Sequence, residues 1–231
     1  MQYVLYKKNK VKSLVKGIIF TIICIPIVFL AGVMFYCNAF LEYYPISGTS
    51  MQPLLNASGI DQDFVYVSKN KSNITYGDVI IYEGETNTII KRVIAMGGDN
   101  IMIKDTNVAD ENSANNLYAI YIQYDGEGEF VELKEDYIQN KSTYKIQYNQ
   151  LYNTNLDQKK FVEDLNGNKY LHLEEDEIFY MGDNRLNSYD CVDYGPMKYK
   201  NIIGKVVFIV HDNNFKLFDV VKQILGIYKW K

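Results

Sequence analysis

The chain has 231 residues and a formal net charge of -4, with 24 lysines and arginines against 28 acidic residues. This near balance provides no basic patch of the kind that binds nucleic acid, so we expect no nucleic-acid partner. Because the whole chain has only 3 cysteines and 2 histidines, we predict neither a disulfide framework nor a metal site, and we expect no cofactor.

The N-terminal region combines a basic tail with a long apolar segment. Five lysines lie within residues 1–16, whereas residues 17–41 carry no formal charge. A helix of about 25 residues is about 37 Å long, enough to cross a bilayer, and a cleavable signal peptide has an apolar core of only ~7–15 residues. We therefore predict a cytoplasmic tail over 1–16 and an uncleaved single-pass anchor in the cell membrane over 17–41. By the positive-inside rule, residues 42–231 form an extracytoplasmic domain. A cleaved signal peptide and a buried core helix are the alternatives.

Strand patterns dominate the extracytoplasmic part and predict a mainly β domain. Strand-like segments occur at 63–68, 77–84, 87–99 and 204–210, and β-hairpins are predicted at 116–133, around Asp125 to Gly128, and at 161–173, around Asn166-Gly167.

Two regions differ from this β pattern. Residues 104–177 are richer in tyrosine, asparagine and acidic residues than their flanks, and we interpret them as a variable insert on the β core. The tail at 213–231 has the spacing of an amphipathic helix. It either packs against the β domain or lies in the membrane interface, and the sequence leaves both open.

Ser50 lies in the turn-rich stretch SGTSMQPLL at 47–55. A serine hydroxyl is a weak nucleophile near neutral pH and needs a base to accept its proton. His172 lies within a predicted strand and His211 directly after one, so we expect structural or surface roles for both. A lysine is the remaining candidate for the base.

Lys91 is the lysine whose setting favours this chemistry. Its amine must be neutral to accept a proton, and burial among apolar groups lowers a lysine pKa from its usual ~10.4. Strand alternation places Ile89 and Val93 on the same face as Lys91, and Arg92 on the other. Taken alone, this segment fits a surface lysine better than a catalytic one.

A third polar segment follows the apolar residues 179–181. Its many turn-forming and polar residues indicate an ordered loop, in which Ser188 could orient a lysine amine and Arg185 could pair with a carboxylate. From composition alone, a structural turn and a functional site explain this segment equally well.

Four motifs, in order after a single membrane anchor, together resemble the box set of bacterial type I signal peptidases. They are SGTSMQPLL, YGDVIIYEG, KRVIAMGGDNI and MGDNRLNSYD, the last with a glycine downstream. The resemblance implies a serine endopeptidase with a Ser/Lys dyad and a mainly antiparallel, barrel-like β-sheet catalytic domain. It also implies that the substrates are preprotein signal peptides with A-x-A-like cleavage sites, cut at the outer membrane face.

Residue by residue, the resemblance implies Ser50 as nucleophile, Lys91 as general base, Ser188 as hydrogen-bond partner of the lysine, and Asp190 as a structural acid. Gly48 and Met51 would supply backbone beside the substrate and oxyanion. The framework positions of the second and last boxes would be Asp78, Gly182, Asp183, Asn184 and Arg185.

The chain departs from the family pattern at three places, one of them the tolerable replacement of a threonine by Leu54. Some members carry an oxyanion-binding serine where this chain has Gly48, which leaves the Ser50 N–H as one donor. Cys191 and Val192 replace the usual Ser-Arg, so Asp190 loses its expected arginine partner. We expect Arg185 or Lys198 to substitute for that arginine.

Two other functions compete with a general signal peptidase. One is a related Ser/Lys enzyme dedicated to a narrow set of precursors. The other is an anchored β module that binds extracytoplasmic peptides without cleaving them, which the presence of both Ser50 and Lys91 disfavours.

Overall fold

The computed structural model describes residues 2–56, 62–84, 87–109, 116–138, 144–153, 161–211 and 217–224. Met1–Glu42 forms one compact unit and Tyr43–Lys231 another. In chain order the elements are α1 (Gln2–Phe40), β1 (Leu41–Pro45), β2 (Phe64–Ser68), β3 (Val79–Glu83), β4 (Thr88–Met96), β5 (Asn100–Ala109), β6 (Asn116–Gln123), β7 (Val131–Glu132), α2 (Tyr144–Asn153), β8 (Phe161–Glu163), β9 (Lys169–His172), β10 (Glu177–Met181), α3 (Cys191–Tyr194), β11 (Met197–Lys198), β12 (Ile202–Val210) and α4 (Leu217–Ile224).

Helix α1 contains the apolar segment. Its part Lys12–Phe40 contains an 18-residue stretch with a mean hydropathy of 2.8 and is long and apolar enough to cross a membrane. Pro26 lies inside the helix, which a transmembrane helix tolerates because neighbouring groups can satisfy the freed carbonyl.

The strands form two sheets. The larger has the order β1-β2-β12-β3-β4-β10-β11, and the smaller has the order β7-β6-β5-β9-β8. From β2 to β11 in the larger sheet, and throughout the smaller sheet, neighbouring strands pair antiparallel, for example β3 with β4 and β5 with β6. The predicted mainly antiparallel β fold is confirmed, and so are the hairpins β6–β7 and β8–β9.

Strand β3, in the centre of the larger sheet, is buried on both faces, which agrees with its continuous apolar sequence. Ile80 and Tyr82 pack in a large hydrophobic cluster that also contains residues of the smaller sheet, such as Ile101. Val79 and Ile81 point to the opposite face and pack in a second cluster. This period of two is the geometry of a strand buried on both sides.

Most of the smaller sheet and all of α2 lie within residues 104–177. Ile103, Ile120 and Leu171 belong to the same large cluster as the central strands of the larger sheet. These residues therefore pack directly on the core that supports the β4 and β10 strands.

Helix α4 packs on β12. The side-chain amide of Gln223 donates to the Ile209 oxygen at 3.0 Å and accepts from the Ile209 N–H at 3.0 Å, and Val220 is buried. The aromatic residues Tyr228 and Trp230, on which the membrane-interface alternative rests, lie outside the described residues.

Candidate active site

The two candidate catalytic side chains are in direct contact. Ser50 lies in the loop after β1, and Lys91 lies in the middle of β4. The Lys91 Nζ atom is 2.9 Å from the Ser50 Oγ atom and 3.1 Å from the backbone oxygen of Ile90. The fold thus joins two residues that are 41 positions apart in sequence.

The Ser50 loop is anchored by apolar side chains that follow the serine. Met51 is 1% exposed, Leu55 is fully buried, and both pack in the second cluster with β2, β3 and β12. Burial of a side chain of this size contributes about 1.5–3 kcal/mol. Met51, predicted to supply backbone at the site, also holds the loop against the sheet through its side chain.

Asn56 closes the same loop with hydrogen bonds. Its Nδ2 group donates to the oxygens of Ile46 and Gly48 at 2.8 Å and 3.0 Å. The Asn56 N–H donates to Asp63 Oδ2 at 2.7 Å, and the Asp63 N–H donates to Asn56 Oδ1 at 2.8 Å. These four bonds fix the path of the backbone on both sides of Ser50.

The segment before Ser50 is open to solvent. Ser47, Gly48 and Thr49 are exposed. No atom lies within 4 Å of the position that a Cβ on Gly48 would occupy. The Ser50 N–H donates no hydrogen bond within the described part of the chain, so it is available to a substrate oxygen.

Lys91 is buried, in contrast to this open segment. Its side chain is 4% exposed and lies opposite Ile80 on β3, while Ile89 and Val93 pack in the large cluster. Burial lowers the pKa of Lys91, and the more distant carboxylates of Asp190 and Asp183 only partly oppose this effect. Lys91 forms no salt bridge with any described residue.

The loop after β10 packs against the nucleophile loop. The Asn184 N–H donates to the Ser50 oxygen at 2.9 Å, and the Asn184 side chain donates to the Thr49 oxygen at 3.1 Å. A Cβ on Gly182 would lie 2.5 Å from the Ser50 oxygen and 2.3 Å from Ser188 Oγ. Only glycine fits at position 182, because the two loops approach each other there.

Comparison with known proteins places the chain in a family. The family model described as "Signal peptidase, peptidase S26" matches residues 16–211. The chain belongs to the signal peptidase family S26. It is a serine endopeptidase, and its function is the removal of signal peptides from preproteins.

A solved structure is also similar to this S26 family member. It is the crystal structure of a signal peptidase I from Enterococcus faecalis V583. That protein is 21% identical, and the match covers 58% of this chain and 97% of the other with a TM-score of 0.34.

Ser188 does not form the hydrogen bond that the family resemblance implies. Its Oγ atom is buried and forms no hydrogen bond of normal geometry with any described residue, including Lys91. It lies beside the Asp190 carboxylate, whose pKa it helps to hold down. The Lys91 amine already contacts Ser50 Oγ and the Ile90 oxygen, so the expected Ser188–Lys91 hydrogen bond is absent here.

Asp190 is held by backbone amides, and the prediction that Arg185 or Lys198 would pair with it is wrong. It accepts hydrogen bonds from the N–H groups of Gly182 at 3.0 Å and Val192 at 3.2 Å, and it caps α3. Burial raises its pKa, and these amides oppose the rise. Arg185 and Lys198, which we expected to pair with Asp190, pair with other carboxylates.

Lys198 forms an exposed ion pair with Asp176 and also contacts Glu177. Arg185 forms a buried ion pair with Glu135, which confirms that it pairs with a carboxylate. Backbone amides, including one at the start of α3, therefore hold the Asp190 carboxylate in place of the expected arginine.

Arg92 follows Lys91 on β4 but has a different environment. Its guanidinium donates two hydrogen bonds to Asp183, at 2.8 Å and 2.6 Å, and it stacks on the Tyr137 ring. Burial alone would lower the pKa of Arg92, but the hydrogen bonds and charge of Asp183 outweigh burial and raise it. Asp183 thus ties the loop after β10 to β4.

The sequence did not indicate the contacts that three residues make in this region. Asn56 and Glu135 belong to no recognised motif, although an asparagine at a φ of 53° is a typical turn choice. Asp78 of the second box is buried, pairs with Lys205 at 2.6 Å and accepts from the Thr75 N–H at 2.9 Å. Asp78 therefore stabilises the turn before β3.

Proposed function

We propose that this chain is a membrane-anchored signal peptidase in which Ser50 is the nucleophile and Lys91 the general base. The observation that carries the proposal is the 2.9 Å contact between Ser50 Oγ and the buried Lys91 amine. A lysine that is desolvated and has no carboxylate partner favours the neutral form, which can accept a proton.

In the first step, the Ser50 hydroxyl gives its proton to the neutral Lys91 amine while Oγ forms a bond to the scissile carbonyl carbon. The carbonyl electrons move to the oxygen, which becomes the oxyanion. When the tetrahedral intermediate collapses, the C–N bond breaks and the Lys91 ammonium gives its proton to the leaving amine. An acyl-enzyme on Ser50 remains, and Lys91 is neutral again.

In the second step, Lys91 takes a proton from water, and the hydroxide oxygen bonds to the acyl carbon. Collapse of this second intermediate breaks the bond to Ser50 Oγ, which recovers the proton from Lys91. One amine therefore serves as base and acid in both half-reactions, as microscopic reversibility requires.

The oxyanion is stabilised by the Ser50 N–H, whose hydrogen is not used by the described part of the chain. A preorganised donor of this kind can contribute 10²–10³ in rate, as an order of magnitude. Gly48 leaves the neighbouring space open but supplies no side-chain donor.

The substrate binds as an extended strand beside β1, with small residues ahead of the cut in shallow pockets. β1 is the edge strand of the larger sheet and leads directly to Ser50. An edge strand offers unpaired backbone groups, so main-chain hydrogen bonds can hold many different signal peptides.

The membrane holds enzyme and substrate together. Residues 17–41, of which 17–40 lie in α1, cross the bilayer. Residues 1–16 remain in the cytoplasm, and residues 42–231 form the extracytoplasmic domain. The support is the length and apolar character of Lys12–Phe40. Sharing one membrane raises the effective concentration of precursor, so weak intrinsic affinity is sufficient.

The test is the cleavage of a generic preprotein with an A-x-A site by the full-length chain in detergent micelles. Ser50→Ala should abolish cleavage, whereas the matched control Ser72→Ala, an exposed serine bonded to Asn70, should cleave normally. Retained cleavage by Ser50→Ala would exclude the nucleophile. A wild-type chain that cleaves only one dedicated precursor would favour the narrow-specificity alternative.

A further inference from the structure

Glu135 is a buried carboxylate of the insert that faces the active-site loop. It is 1% exposed and lies between β7 and α2. Nothing in the family boxes includes it, because it lies in the segment that we interpreted as a variable insert. Its surroundings show that the insert reaches the site.

The carboxylate is surrounded by donors. It forms an ion pair with Arg185, in which both side chains are 2% exposed. The Tyr137 hydroxyl donates to it at 2.5 Å, and the Tyr144 hydroxyl donates to its other oxygen. The charge and hydrogen bonds of Arg185 lower the pKa of Glu135 despite its burial, which alone would raise it, so the carboxylate is ionised.

Arg185 links Glu135 to the turn that contacts Ser50. Its Nε group donates to the Gly182 oxygen at 3.0 Å and its N–H donates to the Asp183 oxygen at 3.2 Å, which defines the turn. Within that turn, the Asn184 N–H donates to the Ser50 oxygen at 2.9 Å. Hydrogen bonds and the backbone of the 182–185 turn therefore connect Glu135 to the Ser50 carbonyl group.

Helix α2 holds the same turn from a second point. The Gln147 side chain donates to the Arg185 oxygen at 3.2 Å and is buried. Tyr144 and Gln147 both lie on α2, so one helix of the insert contacts both the carboxylate that binds Arg185 and the Arg185 backbone.

We propose that Glu135 is a positioning residue for Ser50, acting through Arg185, and that the insert is a structural part of the active site. The proposal rests on the proposed role of Ser50 as nucleophile. A buried guanidinium requires its carboxylate, because one partner alone leaves an uncompensated charge in the interior. If Glu135 is lost, Arg185 must move toward solvent and take the 182–185 turn with it.

The test compares two Tyr→Phe variants on the same helix. Tyr144→Phe removes a hydroxyl that donates to Glu135, whereas Tyr152→Phe removes a hydroxyl that donates to the Lys169 oxygen at 2.8 Å, away from the turn. Glu135→Gln is the stronger variant, and Glu132→Gln, an exposed acid of β7, is its matched control.

The readouts are kcat and KM for a preprotein and the rate at which a small fluorophosphonate labels Ser50. We expect Tyr144→Phe to lower kcat and the labelling rate about tenfold and Glu135→Gln about 100-fold, with little change in KM, because the nucleophile is displaced. Both control variants should match the wild type.

Equal effects of Tyr144→Phe and Tyr152→Phe, or normal labelling of a folded Glu135→Gln variant, would overturn the proposal. If Glu135→Gln does not fold, the two tyrosine variants decide alone. A wild-type chain that is not labelled on Ser50 while it cleaves preprotein would instead contradict the role of Ser50.

Discussion

The two sides of the active site differ in how they are built. The nucleophile side is a loop whose residues 47–49 are exposed and whose path is set by hydrogen bonds from Asn56. The base side is a central strand on which Lys91 is 4% exposed. For the proposed nucleophile, the position of the Ser50 hydroxyl is the property on which catalysis depends. For the proposed base, it is the protonation state of the Lys91 amine.

A second contrast lies within the base side. Lys91 and Arg92 are neighbours on β4, and both are buried. Burial lowers the pKa of Lys91, which forms no ion pair with a carboxylate of the described residues, whereas Asp183 raises the pKa of Arg92 against the effect of burial. Burial therefore favours the neutral form of a basic side chain without a carboxylate beside it, as at Lys91. A paired carboxylate favours the charged form, as at Arg92.

The largest expected effect tests the protonation state of the base. Lys91→Arg keeps a cation that cannot deprotonate, and Lys91→Met removes the amine, so both should lower kcat by at least about 10⁴-fold. The measurement is preprotein cleavage, with Lys198→Met as control because Lys198 is exposed. A Lys91→Arg variant with more than about one hundredth of wild-type activity would show that a neutral amine is not needed.

The next effect concerns the paired cation. Asp183→Asn leaves the buried charge of Arg92 uncompensated, so we expect a loss of about 3–5 kcal/mol in the free energy of unfolding. Urea denaturation of the full chain in micelles measures it. Asp176→Asn breaks an exposed ion pair and should change stability little. Similar losses in both variants would remove the contrast between buried and exposed pairs.

A smaller effect is the pH dependence of stability. Because the folded-state pKa of Lys91 is lowered, the unfolded chain binds a proton that the folded chain does not, between that pKa and ~10.4. Stability should therefore rise with pH in this window, by at most about 1.4 kcal/mol per pH unit for one proton.

This rise is measured in Ser50→Ala and compared with Ser50→Ala/Lys91→Met, which should lack it. The comparison stays below about pH 9.5, because unfolded tyrosines ionise near pH 10 and reverse the trend. Identical pH profiles for the two variants would mean that Lys91 is not depressed.

The smallest effect tests the open side of the site. Gly48→Ser adds a hydroxyl in free space at a residue outside the left-handed region, so we expect unchanged stability and a kcat raised by up to about tenfold through a second oxyanion donor. Gly182→Ala is the contrasting variant and should be strongly impaired, because its Cβ would clash with Ser50 and Ser188. Loss of stability in Gly48→Ser would show that the loop is less open than its geometry indicates.

Much of the fold follows from local sequence patterns. Alternation in β2 and β12, the apolar run in β3 and the turns of both hairpins each depend on neighbouring residues, so they can be read without the fold. Ser50 and Lys91 were predicted because each lies in a short motif and Lys91 has apolar neighbours along its own strand.

The partners of the polar side chains could not be predicted in the same way. Asp190 accepts hydrogen bonds from two backbone amides instead of pairing with the predicted cation. Arg185 pairs with a carboxylate 50 positions away in sequence. A pairing between distant residues leaves no periodic signal, and each acidic residue of the insert is an equally plausible partner before the chain folds.

The sequence by itself determined the membrane-length apolar segment and the β character of the domain, and it predicted Ser50 and Lys91 as the dyad. Each of these depends on composition, spacing or alternation over a few residues. Only the tertiary structure decided that Lys91 touches Ser50, that Glu135 and Asn56 hold the loops around it, and that Ser188 does not bond the lysine. Burial and long-range hydrogen bonds exist only once distant segments have packed, and they set the protonation and geometry on which catalysis depends.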